Sequence, residues 1–262
     1  MPHSVISLGL GLGGGKASTS SGRPGGSGYN AEFSLHFDGT DDYLNIPHDS
    51  TLTMTGDMSF SAWVNRTELV NASAGGYVPI LTKRGSNINY QFYLDSLDGS
   101  GAGRMRFYDG SSAHSPSGGT VIAAAAWFHV ALTIDNGATN GGKWYVNGEL
   151  DGAASTISVS NTNTDPVMVG KLGNAAYYTK GLTDEVALFD SILSVSDITA
   201  IYNSGSPADL TSFNPVSWWR MGEGATWDGS NWTIPDASPR GNGNAGTTAN
   251  MAEGSRSTNI PS

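Results

Sequence analysis

From Phe33 onward the chain alternates apolar and polar residues over short runs, each closed by a cluster of Gly, Asn, Asp or Pro. Successive strand side chains point to opposite faces, so each run has one face to bury and one to leave in solvent. Ser34-Leu35-His36-Phe37 leads into the turn Asp38-Gly39-Thr40, and Tyr43-Leu44-Asn45-Ile46 stops at Pro47. Met58 to Asn65 sets Met58, Phe60, Ala62 and Val64 against polar partners and Trp63. The same reading predicts strands over 77–82, 90–95, 105–108, 127–134, 144–146, 166–169 and 182–189. Trp144-Tyr145-Val146 runs into Asn147-Gly148, the best short-range signal for a type I′ hairpin turn. Short strands at this spacing predict an all-β, two-sheet antiparallel sandwich with one short helix. That helix starts at Ser194-Val195-Ser196-Asp197, a capping box, carries the apolar stripe Ile198, Ile201 and Tyr202, and stops before Gly205. It is expected to pack across one end of the sandwich.

The two ends of the chain read differently. Val5, Leu8, Leu10 and Leu12 show apolar spacing among glycines, and a Gly/Ser stretch follows to about Gly28. This is either an assembly arm that adds a strand to a neighbour's sheet edge or a frayed terminus. The expected organisation is an arm over 1–30, a sandwich over 31–205, and an extension over 206–262 that completes the sandwich or contacts a neighbour.

Composition narrows the function. Of 262 residues only 14% are charged while 36 are Gly, a turn-rich β composition. A net charge of -10 with dispersed Lys and Arg excludes nucleic acid as a main partner. With no Cys there are no disulfides, thiolate zinc sites or cysteine nucleophiles. No apolar run approaches the roughly 20 residues that span a bilayer, so no membrane insertion is expected, and the first residues lack a signal-peptide pattern.

Five motifs in order carry a resemblance: Phe37-Asp38-Gly39-Thr40-Asp41-Asp42-Tyr43, Phe60-Ser61-Ala62-Trp63-Val64, Trp127-Phe128-His129-Val130-Ala131, Trp144-Tyr145-Val146-Asn147-Gly148 and Leu182-Thr183-Asp184-Glu185-Val186. Across Phe33 to Tyr202 the chain resembles the laminin-G-like, concanavalin A-like and pentraxin-like jelly-roll domains. Val216-Ser217-Trp218-Trp219-Arg220-Met221 and Asp236-Ala237-Ser238-Pro239-Arg240-Gly241-Asn242-Gly243-Asn244 look like the element that opens many such domains. Here it comes last, which implies a permuted jelly roll or a strand that pairs with another chain. Arm, body and Trp-Trp-Arg-Met tail together resemble virion structural proteins of tailed bacteriophages.

Catalytic chemistry is not legible. A glycosidase needs two carboxylates flanking its substrate, and the acidic triad of the family's hydrolases is missing. Glu149-Leu150-Asp151 reads as a solvated hairpin end, and Asp184 and Glu185, adjacent on a strand, are expected to point to opposite faces. His129 reads as a satisfied, partly buried core residue. Asp38, Asp41 and Asp42 crowd one turn and offer the oxygen ligands calcium takes, or act as turn formers; the resemblance adds Asp184 to that set. Tyr177, Tyr178 and Trp227 are the candidate sugar-stacking residues, and of Trp218 and Trp219 at least one is expected in the core.

The expectation is therefore a non-enzymatic virion structural protein, a decoration, fibre or adhesin subunit on the phage particle surface, docked to other virion proteins or to itself as a homo-oligomer. The alternative is a carbohydrate-binding module, calcium-assisted or not, that is extracellular or on a bacterial surface. A glycoside hydrolase ranks third.

Overall fold

The computed structural model describes residues 29–67, 76–95, 103–116, 119–152 and 154–262. The arm residues Val5, Leu8, Leu10 and Leu12 lie outside them. In chain order the strands are β1 (Ser34–Asp38), β2 (Tyr43–Ile46), β3 (Met58–Arg66), β4 (Tyr77–Arg84), β5 (Ile88–Asp95), β6 (Arg104–Tyr108), β7 (Ala113–His114), β8 (Trp127–Ile134), β9 (Gly142–Val146), β10 (Glu149–Leu150), β11 (Val167–Val169) and β12 (Lys180–Phe189). The helix α1 (Val195–Tyr202) follows, then β13 (Ser217–Trp219), β14 (Thr226–Trp227), β15 (Trp232–Ile234), β16 (Gly246–Ala249) and β17 (Arg256–Ser257).

Two antiparallel sheets form the sandwich. One runs β10-β9-β8-β3-β12-β1-β17 with β13 paired to β12, and the other runs β14-β15-β16-β2-β11-β4-β5-β6-β7. Alternating residues fill the space between them: Phe60 of β3 meets Phe92 of β5 with ring centroids 4.0 Å apart, and Trp144 of β9 lies over Phe92 at 6.3 Å. The Asn147-Gly148 turn forms as predicted, since both residues have positive φ, 52° and 80°.

The helix departs from its predicted place. Its capping box forms, with Ser194 accepting from the Asp197 backbone and Asp197 from that of Ser194. However, Ile198 and Ile201 pack on Ala131, Tyr145, Ala187 and Phe189, the outer side of the eight-stranded sheet, so α1 covers a face rather than an end. The cause lies in the sequence: those strands are apolar on both sides, and the second side needs its own cover.

The tail pairs within its own chain. β13 lies beside β12, β16 beside β2, and β17 beside β1. Both tail tryptophans are buried on opposite faces, Trp219 between the sheets and Trp218 under the helix layer. The tail thus adds strands to both sheets from within the chain.

Candidate functional site

The site is built on the outer face of the nine-stranded sheet. Tyr90, Phe92 and Leu94 of β5 point into the core, which turns Gln91 and Tyr93 outward. The β11–β12 connection folds back over this face. Thr82 Oγ1 donates to the Lys171 carbonyl at 2.8 Å and accepts from Gly173 N at 3.2 Å, and Thr179 Oγ1 donates to the Pro79 carbonyl. Between connection and sheet lies a groove of about 370 Å³, lined by Tyr77, Tyr93, Tyr108, Tyr177, Arg84 and Gln91, with Leu172 and Ala175 adding apolar wall. Tyr77 meets Tyr93 at 5.4 Å and Tyr177 at 5.1 Å, both edge to face. Burial, followed by the nearby Asp95, pushes the Tyr93 phenol up, so it stays neutral and can both donate and accept. No carboxylate lines the groove among the described residues.

A larger depression of about 640 Å³ at one end of the sandwich is polar, lined by Ser, Thr, Asn, His48 and Asp165, and has no Tyr, Trp or Phe. It offers hydroxyl and amide contacts without a stacking surface.

Of the three candidate stacking residues only Tyr177 reaches the groove. Tyr178 lies under the Lys171 ammonium, 5.5 Å from its ring centroid, and Trp227 packs on Trp232 at the far edge of the same sheet. Tyr77, Tyr93 and Tyr108 escaped the sequence reading. The available signal was Asn89-Tyr90-Gln91-Phe92-Tyr93, where a strand already burying one aromatic face carries another aromatic on its other face.

The aspartates separate into two groups. Asp38, Asp41 and Asp42 can bring ligand oxygens within 4.8 Å of one another, and so can Asp184, Glu185 and Glu223, but the two sets are distinct. Asp184 is thus not brought to the Asp38 turn: it lies four residues along β12 from Lys180, which is the residue opposite Asp38. The turn aspartates serve their own backbone, Asp38 Oδ1 accepting from Thr40 N and Asp42 Oδ2 from Asp38 N. Their all-oxygen donor set also fits calcium, which would brace this turn.

Asp184 and Glu185 do not point to opposite faces. Glu185 adopts a positive φ of 49° at a β-bulge where Glu185 and Val186 oppose Ala62 alone, and the extra residue brings both carboxyls to one side. There Glu185 accepts from Tyr29 Oη at 2.6 Å and from Trp218 Nε1, and Arg220 Nε lies 3.5 Å away. Glu223 Oε1 accepts from the backbone of Glu32 and Phe33. Asp184 Oδ2 is buried with no hydrogen-bond partner. Burial, and then the charge of Glu185, raises the Asp184 carboxyl, while burial pushes Glu185 up to about 7 despite Arg220. This cluster clamps the segment entering β1.

Two smaller readings change. Asp151 is not solvated: its Oδ1 accepts from Thr120 N and Oγ1. His129 is fully buried with Nε2 2.8 Å from Ser61 Oγ, but Nδ1 lacks a hydrogen-bond partner and burial pulls its pKa down to about 3. The Ser61–His129 pair is sealed beneath Trp63 and Tyr202, out of reach of a substrate.

A family model described as the concanavalin A-like lectin/glucanases superfamily matches residues 38–199, more than half of the chain. The chain belongs to this superfamily. Among solved structures similar to this superfamily member is a Bacteroides ovatus protein assigned to carbohydrate binding, with TM-score 0.65, 18% identity, and 89% of this chain covered. The chain spans 62% of the length of that protein. A native heptameric SAP-like pentraxin from Limulus polyphemus matches with TM-score 0.50 and 13% identity over 66% of this chain and 82% of its own. At such identities the likeness is one of fold. No curated protein matches the chain.

Proposed function

We propose that this superfamily member is a non-catalytic carbohydrate-binding protein that seats a saccharide in the tyrosine groove. The observation that carries the reading is four tyrosines with Arg84 and Gln91 around one shallow site. Pyranose rings stack their apolar face on aromatic rings, while phenol, amide and guanidinium groups take the hydroxyls. The absence of a lining carboxylate among the described residues supports binding over glycoside hydrolysis, which needs an acidic pair. Titration of the purified chain against a saccharide panel tests this. Tyr177→Ala and Tyr77→Ala should each weaken binding by roughly tenfold or more with little change in melting temperature. Unchanged affinity in both variants would place the ligand elsewhere.

The setting we infer is a phage particle, where residues 1–28 would dock the protein to the virion or to its own copies while the groove faces outward. Its support is the sequence resemblance together with the clamp on Tyr29 and Asn30, from which a docked arm would depart: Tyr29 bonds Glu185 and Arg220 Nη2 donates to the Asn30 carbonyl at 2.6 Å. A chain starting at Tyr29 should fold and fail to incorporate, whereas Tyr177→Ala should incorporate normally. Normal incorporation of the shortened chain would remove the arm from assembly.

A further inference from the structure

Resting on the groove reading, we infer that its ligand is an acidic saccharide whose carboxylate is taken by Arg84. Arg84 is the single charged residue of the lining. Other arginines are already engaged: Arg106 pairs with Asp95 at 2.7 Å, Arg240 with Asp190 at 2.6 Å and Arg220 with Glu185 at 3.5 Å, while Arg256 lies over the Phe33 and Trp232 rings at 4.2 and 4.8 Å. Arg84 instead makes one neutral bond, Nη1 donating to Gln91 Oε1 at 2.9 Å. No carboxylate among the described residues pairs with it. One bond leaves most of a guanidinium's N–H donors available, and their planar fork matches a carboxylate in a two-point contact.

The residue is also held in place. Gly173, at φ 52°, brings the covering connection so close that a Cβ there would lie 2.7 Å from the Arg84 carbonyl and 2.8 Å from its Cβ. The stem is thus boxed between Gln91 and the Gly173 backbone, which lowers the ordering cost of presenting the guanidinium. The protein's net charge of -10 repels an anion at long range, but salt screens that field within roughly 8 Å at physiological ionic strength. A direct contact at Arg84 outweighs it locally. The tyrosines then hold the ring, and the guanidinium selects rings that carry a carboxylate.

Oligogalacturonates and their methyl esters share one sugar backbone and differ at the carboxyl, where the ester replaces the charge by a methoxy group, so the pair read in the wild type and in Arg84→Gln isolates the contribution of Arg84. Calorimetric titration of the full chain should show the acid form binding roughly tenfold or more tighter than the ester. Arg84→Gln should abolish the difference, and Arg84→Lys, which keeps the charge and loses the fork, should retain part of it; melting temperatures show whether the variants are folded. Equal affinity for acid and ester, or an equal loss for both in Arg84→Gln, would overturn the inference. Binding of neutral saccharides alone, lost in Tyr177→Ala, overturns it while leaving the groove reading intact. No saccharide bound at all removes both.

Discussion

Glu185 concentrates several constraints in one residue. Its left-handed backbone in mid-strand costs on the order of 1 kcal/mol, and the bulge marks where β12 stops pairing with β1 and starts pairing with β13. The bulge also buries two adjacent carboxyls beside a third, Glu223, and one arginine. Because burial raises both Asp184 and Glu185, the folded state holds protons that the unfolded chain releases near pH 4. Stability from Glu185 is therefore full below about pH 4 and declines as pH rises toward about 7, by something on the order of 3 kcal/mol, and the raised Asp184 adds a decline of the same sign. Asp190 and Asp109 work the other way, lowered by Arg240 and by Ser112 and Ser111 backbone bonds against burial, and lose their contribution only at lower pH. Urea midpoints should thus peak in mildly acidic buffer and fall toward pH 8. Asp184→Asn should raise stability at pH 8 by about 1 kcal/mol and flatten the slope, because a neutral amide removes an ionisable group from a site where burial and the Glu185 charge disfavour its ionised form. An unchanged slope in Asp184→Asn would show that the cluster does not set the pH response.

At the level of strands and helix, local alternation carried most of the information. Strands anticipated at 43–46 and 127–134 form over those same residues, because each has one uninterrupted apolar face and hard stops such as Pro47. Elements fixed by distant partners were not legible. β7 and β10 are two residues long and exist only as edges of hairpins, so they leave no periodic trace. The place of α1 was readable in principle, since Val130-Ala131-Leu132 and Val186-Ala187-Leu188 are apolar on both sides and so announce a third layer. The bulge at Glu185 was not, as it depends on where β1 yields to β13 across the sheet. The groove was half visible for a similar reason: Tyr177 stands in a loop that composition marks as exposed, whereas Tyr77, Tyr93 and Tyr108 converge only through strand register. Arg84 carries no sequence signal beyond its charge, and its having a neutral amide rather than a carboxylate beside it is a property of the assembled sheet.

For the whole molecule, the family match ends at residue 199 but the sandwich does not. Val216, Trp219, Met221, Trp232 and Ile234 all belong to the core between the sheets, and the first three and Ile234 are at most 2% exposed. At roughly 1.5 to 3 kcal/mol per large apolar side chain, these five contribute on the order of 10 kcal/mol of burial. That rivals the roughly 5 to 15 kcal/mol net stability of a whole domain. Removing them would also leave β2 and the second half of β12 each without a neighbour on one side. A chain ending at Gly205, although it keeps every matched residue, should therefore show no cooperative thermal transition and should expose apolar surface to a hydrophobic dye. Supplying residues 206–262 as a separate chain should restore the transition if the tail acts through these contacts, because a cut in the loop before β13 removes connectivity but leaves the interfaces available. A cooperative melt in the shortened chain alone would mean that the matched segment is self-sufficient and that the tail serves the tyrosine-bearing sheet only as an added edge.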